Sequence, residues 1–198
     1  MTDTTLTPPE HTAPVVFTRA QVDWLPWLEP LAPEDMTERH IAALVDANRV
    51  KSPYFRLLAR DPDTLEARTR ADKDIFYNTK AGLPRAEREL AATAVSRLNG
   101  CIYCASVHAR FSATYSKRDV DVDQLLAEGV ETELGNSWNA VVEASVALTR
   151  TPLAFGPEHI ERLRADGLDD LAIADLIQSA AFFNWANRLM LSLGEPAI

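Results

Sequence analysis

The sequence predicts an all-α protein, a multi-helix bundle with an N-terminal extension. Three observations point there. Apolar residues recur at helical spacing in one segment after another, Gly and Pro fall between those segments, and no alternating run persists long enough to make a strand. With 198 residues, of which 46% are hydrophobic and 25% charged, the chain lies in the ordinary globular range. A chain of this length buries roughly 70% of its unfolded surface and needs neither disulfides nor a structural metal to hold its core.

Residues 1–14 are rich in Thr and Pro and read as a disordered tail. They carry two acids and no basic or apolar stretch, so no secretory signal is expected, and a cytoplasmic, reducing location is. Residues 15–60 form an arm with short helices. Up to Met36 the prolines Pro26, Pro30 and Pro33 break any period around Trp24 and Trp27, whereas Ile41, Ala42, Leu44 and Val45 predict a helix over 37–50. Ser52-Pro53 then supplies an N-cap and a first-turn proline for a short helix over 54–60.

The bundle domain spans 61–198. Asp61-Pro62 starts a helix over 62–80 through Leu65, Ala67, Ile75 and Phe76, and Pro84 opens the next, 84–98, with Leu90, Ala91, Ala94, Val95 and Leu98 on its core face. Asn99-Gly100 stops it. Further helices are predicted over 101–115, 120–128, 136–149 and 157–165. Asp169 or Asp170 caps the last and longest helix, which runs to about 193 through Leu171, Ile173, Leu176, Ile177, Ala180, Phe183 and Leu189.

A formal charge of −9 opposes a nucleic-acid or anionic-membrane partner, either of which needs clustered Lys and Arg. No apolar run approaches the roughly 18 residues of a membrane span. The chemistry concentrates instead in Cys101-Ile102-Tyr103-Cys104 and His108. Spacings of three and four residues put both thiols and the imidazole on one face of a helix that begins near Gly100. A helix N-terminus and an imidazole both favour a thiolate, and a second thiol turns a one-way oxidation into a cycle. A structural zinc site takes four Cys or His ligands, but His11, His40 and His159 stand singly elsewhere. Haem attachment requires His directly after the second Cys, where Ala105 stands, and a thioredoxin-like site follows a strand rather than a helix.

Two assignments stay open on residues alone. Glu89, twelve residues before Cys101, is placed either to orient His108 or to pair with Arg85 in the first turns of its helix; periodicity favours the second. By the helix dipole Cys101 is the more acidic thiol, whereas Cys104 is the one with a base a single turn away.

Glu89, eleven intervening residues, then Cys101-x-x-Cys104-x-x-x-His108, within LPRAERELAATAVSRLNGCIYCASVHAR, resembles the signature of the alkylhydroperoxidase D-like (AhpD-like) branch of the carboxymuconolactone decarboxylase superfamily. The resemblance is strong over about 83–111 and looser to Gly194, where AAFFNWANRLMLSLG is similar to peroxidase-related members. It implies an all-α bundle that self-associates into a homo-oligomer and reduces hydroperoxides with no bound cofactor or metal, recycled by a dithiol reductant. Carried over, it implies Cys104 as the peroxidatic thiol, Cys101 as the resolving one, His108 as base and Glu89 as relay acid. Tyr103 stands where founding members have a histidine, which makes it a secondary candidate. Two rivals remain. One is a decarboxylase-type proton-transfer enzyme, which has no use for a dithiol, and the other a CxxC redox sensor without turnover. Trp24, Trp27, Phe182, Phe183 and Trp185 are expected to serve core or interface packing before substrate contact, and Asn184 and Asn187 to be satisfied by backbone or at a subunit seam.

Overall fold

The computed structural model describes residues 5–80 and 82–198, and among these nine α-helices carry the fold. Strand β1 (Asp23–Pro26) is followed by a 3-10 turn, α1 (Glu38–Ala43), a second 3-10 turn (Ala47–Lys51), α2 (Pro53–Leu58) and α3 (Pro62–Tyr77). Then come α4 (Arg85–Leu98), α5 (Ile102–Ser116), α6 (Asp119–Glu128), α7 (Asn136–Thr149), α8 (Pro157–Ala165) and α9 (Asp170–Leu193), closed by β2 (Gly194–Ala197). No helix among the described residues is long and apolar enough to cross a membrane.

Helix α4 is the axis of the bundle. Its residues from Ala86 to Ser96 are buried on nearly every side, except at Glu87, because α5, α7 and α9 pack around it. Small side chains allow that crowding: Ala91, Ala92, Thr93, Ala94 and Ser96 are all fully buried. The two hydroxyls among them bond back to carbonyls one turn earlier, Thr93 to Glu89 at 2.8 Å and Ser96 to Ala92 at 2.7 Å, so neither is orphaned. The chain enters α4 along a loop fixed from α9, where the Asp175 carboxylate accepts the Gly82 and Leu83 amides at 2.7 and 3.0 Å. Gly82 is required there, since a Cβ would lie 2.6 Å from the Ala172 nitrogen.

The exit from α4 follows its stop signal. Asn99 is the C-cap and Gly100, at φ +79°, turns left-handed. The Cys101 amide then donates back to Ser96 at 2.9 Å, a Schellman arrangement that delivers Cys101 as the N-cap of α5. Asp61 and Asp169 likewise cap α3 and α9, accepting the amides of Thr64 at 3.1 Å and Ala172 at 2.8 Å.

Two expectations are corrected. A strand pair exists where none is predicted: β1 and β2 run antiparallel with Trp24 opposite Pro196 and Leu25 opposite Glu195. Four residues containing a proline give no readable alternation, and packing decides instead. Trp24 is buried edge-on against Tyr54 and donates from Nε1 to the Met190 carbonyl at 3.3 Å. Gly194 lets the strands close on it. The arm thus packs on its own bundle, with the Trp27 amide bonded to Leu193 at 2.8 Å. The helix expected over 37–50 is also broken. Val45 sits at φ +62° after the buried pair Ala43 and Leu44, and Asp46 accepts the Asn48 amide at 3.0 Å to start the second 3-10 turn. A local cap there outcompetes helical continuation. Residues 1–4 of the N-terminal tail lie outside the described residues; in the rest of it, Leu6 and Thr12 bond to the backbones of Trp27 and Ile198.

Nothing lies within 4 Å of where a Cβ on Gly100 would stand, so its cost is one of backbone conformation alone. Gly100→Ala is expected to lower stability by about 1–2 kcal/mol in urea unfolding at unchanged m-value.

Candidate active site

Three sequence-separated segments meet at Glu89. It lies on the face of α4 turned to α5 and is 1% exposed. One oxygen accepts from Arg85 Nε at 3.1 Å and the other stands 2.6 Å from Nδ1 of His108. Both roles left open for Glu89 are thus realised at once. A buried carboxylate needs such compensation, because breaking a buried pair by removing one partner costs about 3–5 kcal/mol. Arg85 is itself held against the rings of Tyr77, Phe111 and Tyr115, at 4.1, 5.1 and 4.4 Å, and bonds the Tyr115 hydroxyl at 2.7 Å.

The Glu89 contact sets the chemistry of His108. A carboxylate only accepts, so Nδ1 carries the proton and the neutral ring keeps its lone pair at Nε2. Phe76 and Phe183 hold the ring from two sides, with centroids at 5.2 and 4.0 Å. The imidazole is therefore fixed in both tautomer and orientation, as a general base requires.

Cys101 and Cys104 are buried, unlinked and adjacent at the N-terminal end of α5. They titrate as a pair. The Cys104 S–H stabilises charge on Cys101, burial opposes it, and the Cys104 backbone amide and the Asn187 side chain add to it, so the Cys101 thiol falls below its ordinary value of 9.0. Cys104 moves the other way, pushed up by bonding to Cys101 and by burial. The dipole reading of Cys101 as the more acidic thiol describes the resting pair.

Access reverses that ranking. A cavity of about 200 Å³ opens beside Cys104 and His108 and is walled by Phe76, Tyr103 and Phe183; Cys101 does not line it. Tyr103 shares this wall, with its phenol pushed up by burial and then by Cys104. Of the aromatics expected to pack, Phe183 also lines the cavity, whereas Trp24 is core and Trp185 is 42% exposed. Asn187 was legible only as a polar residue on an apolar face, four positions after Phe183. It is fully buried, donates to Ser96 Oγ at 3.0 Å and accepts from Asn99 at 3.1 Å, which fixes the amide beside the thiols. Sequence spacing gave no hint of Tyr54, Arg49, Arg68 and Asp72, which come to the cavity from the arm and α3. No cluster of three or more His, Cys, Asp or Glu suited to a metal occurs among the described residues.

Raising the pH of the reduced protein should develop one thiolate per chain below 9.0 and the second only well above it, read by ultraviolet thiolate absorbance. Cys104→Ala should shift the first ionisation upward, because the S–H donor is gone. Two thiols titrating together at 9.0 would contradict the coupling.

Comparison with known proteins accords with this geometry. The model of the carboxymuconolactone decarboxylase family matches residues 62–147, from the start of α3 almost to the end of α7. No curated protein sequence matches the chain significantly. An uncharacterized peroxidase-related protein from Silicibacter sp. TM1040 superposes with TM-score 0.68 at 23% identity, covering 96% of this chain and 94% of that one. A peroxidase-related protein from Ralstonia eutropha JMP134, described as an alkylhydroperoxidase AhpD core, gives 0.66 at 23% identity over 81% and 84%. The debrominase Bmp8 gives 0.66 at 18% identity over 83% and 88%. At these identities the likeness is one of fold. Because the family model falls on the helices that carry Glu89, both cysteines and His108, and the bundle around them has the fold of these relatives, the chain belongs to the carboxymuconolactone decarboxylase superfamily as an AhpD-like member.

Proposed function

We propose that the protein is a thiol peroxidase that reduces organic hydroperoxides with Cys104 as the attacking sulfur and Cys101 as the resolving one. The observation that carries this reading is the division of labour between the thiols. Cys104 shares a cavity with His108, while Cys101, behind it, is the thiol biased toward ionisation. In the first step His108 Nε2 takes the Cys104 proton as the sulfur attacks the distal oxygen of ROOH. The O–O bond breaks, the alkoxide leaves and recovers that proton as ROH, and Cys104 becomes a sulfenic acid. Glu89 stabilises the imidazolium formed in between. The Cys101 thiolate then attacks the Cys104 sulfur and expels hydroxide, which is protonated to water. An external dithiol reopens the disulfide and closes the cycle. This order makes use of both pKa directions: the nucleophile of the second step is already ionised when the sulfenic acid appears.

A different reducible substrate is the alternative that one finding favours. The similarly folded Bmp8 is a debrominase whose structure is known with 2,3,4-tribromopyrrole, and a cavity of about 200 Å³ walled by Phe76 and Phe183 accepts a ring of that size.

The test is a single turnover with stoichiometric hydroperoxide, followed by mass spectrometry of each cysteine. Cys101→Ser should consume about one equivalent and stop at a trappable sulfenic acid, and Cys104→Ser should consume none. His108→Ala should slow the first step by about 10²- to 10⁴-fold. Consumption retained in Cys104→Ser but lost in Cys101→Ser would reverse the roles. Debromination of the pyrrole in place of peroxide reduction would favour the alternative. Full activity of the double serine variant on the true substrate would remove the thiol mechanism in favour of decarboxylase-type proton transfer.

A further inference from the structure

Two arginines at the cavity have no part in the thiol chemistry. Arg49, in the 3-10 turn before α2, and Arg68, on α3, line the same cavity as Cys104. Each bonds Asp72, at 3.3 and 3.2 Å, and they stack on Phe55 and Phe182, with guanidinium carbons 4.6 and 5.2 Å from the ring centres. These contacts leave Arg49 Nη1 and Arg68 Nε buried with no acceptor, and the Tyr54 hydroxyl at the same cavity is buried with none either. The Arg68 side chain is only 8% exposed. Orphaned donors are costly in a folded protein, and three around one cavity ask for an acceptor.

The charges around the cavity favour a negative one. Glu89 is already engaged by Arg85 and His108, and Asp72 is shared by two arginines, so the Arg49–Arg68 end carries an excess positive charge in a chain of net charge −9. Guanidinium groups present parallel N–H donors matched to a carboxylate. The remaining cavity is apolar and, at about 200 Å³, exceeds the roughly 150 Å³ that holds a benzene molecule.

We propose that this cavity binds a small organic carboxylate, its anionic head on Arg49 Nη1 and Arg68 Nε and its apolar body along Phe76 and Phe183 toward Cys104. Resting on the thiol peroxidase reading for the reaction, this makes the substrate class a carboxylate-bearing hydroperoxide, with Tyr54 a further donor to the bound molecule.

Charge selectivity at Cys104 can be read without any peroxide. Iodoacetate and iodoacetamide alkylate a thiolate by the same displacement of iodide and differ in charge, so the ratio of their rates cancels changes in thiol ionisation. In the native protein that ratio at Cys104, located by mass spectrometry, should exceed the ratio for free cysteine. Arg68→Gln and Arg49→Gln should each lower it by at least about tenfold, and Arg68→Lys should retain part of it. Benzoate should protect Cys104 from iodoacetamide where benzamide does not. Because Arg49 and Arg68 lie on different elements, misfolding of one variant leaves the other to decide. A native ratio at or below that of free cysteine, or one that neither glutamine variant changes, overturns the proposal. If no hydroperoxide is turned over while the ratio behaves as expected, the peroxidase reading falls and the anion site stands.

Discussion

A carboxylate sealed inside a helical bundle is the constraint around which the rest is arranged. Glu89 on α4 cannot remain charged there alone, and its two oxygens commit one residue of its own helix and one of α5. The Arg85 side chain satisfies it from the first turn of α4, His108 from the second turn after Cys104, and α4 and α5 must then lie in a fixed rotation about each other. The small residues along α4 permit that close approach. Even the turn between the helices serves the same register, because Gly100 places Cys101 at the head of α5 and so sets where the thiols stand relative to His108.

The second organising feature is the polar seam where α9 crosses the thiol end of α4. Asn184 and Asn187 would be liabilities in an apolar helix, yet each is tied in: Asn99 donates to both at 3.1 Å and Asn184 donates to Thr149 at 2.9 Å. A satisfied network of this kind fixes one arrangement of its members. Here it holds an amide dipole near a sulfur pair without offering a charge that would lock the thiols in one ionisation state.

The sequence-to-structure comparison divides along contact distance. Helix limits from α3 onward were legible because caps and stops such as Asp61, Asn99-Gly100 and Asp169 act within one turn of themselves. The thiols and His108 were legible for the same reason, lying within eight residues on one helix. Glu89 was visible as a candidate, but its double engagement required knowing how two helices pack. The break at Val45 and the β1–β2 pair escaped notice because burial of Ala43, Leu44 and Trp24, rather than local pattern, decides them. Tyr54, Arg49 and Arg68 were out of reach of spacing arguments altogether, as they meet Cys104 from segments tens of residues away.

The pairing of β1 with β2 has a consequence for how such a protein changes its substrate. The arm that supplies Arg49 and Tyr54 is moored to the end of α9 through Trp24, and the mooring closes only because position 194 has no side chain to collide with the Trp24 ring and the Leu25 carbonyl. The reactive groups belong to one covalent neighbourhood and half of the wall facing them to another. Specificity in this architecture is therefore an adjustable attachment: altering how the arm sits, even at its far fastening, reshapes what reaches the sulfur while leaving the α4–α5 machinery intact.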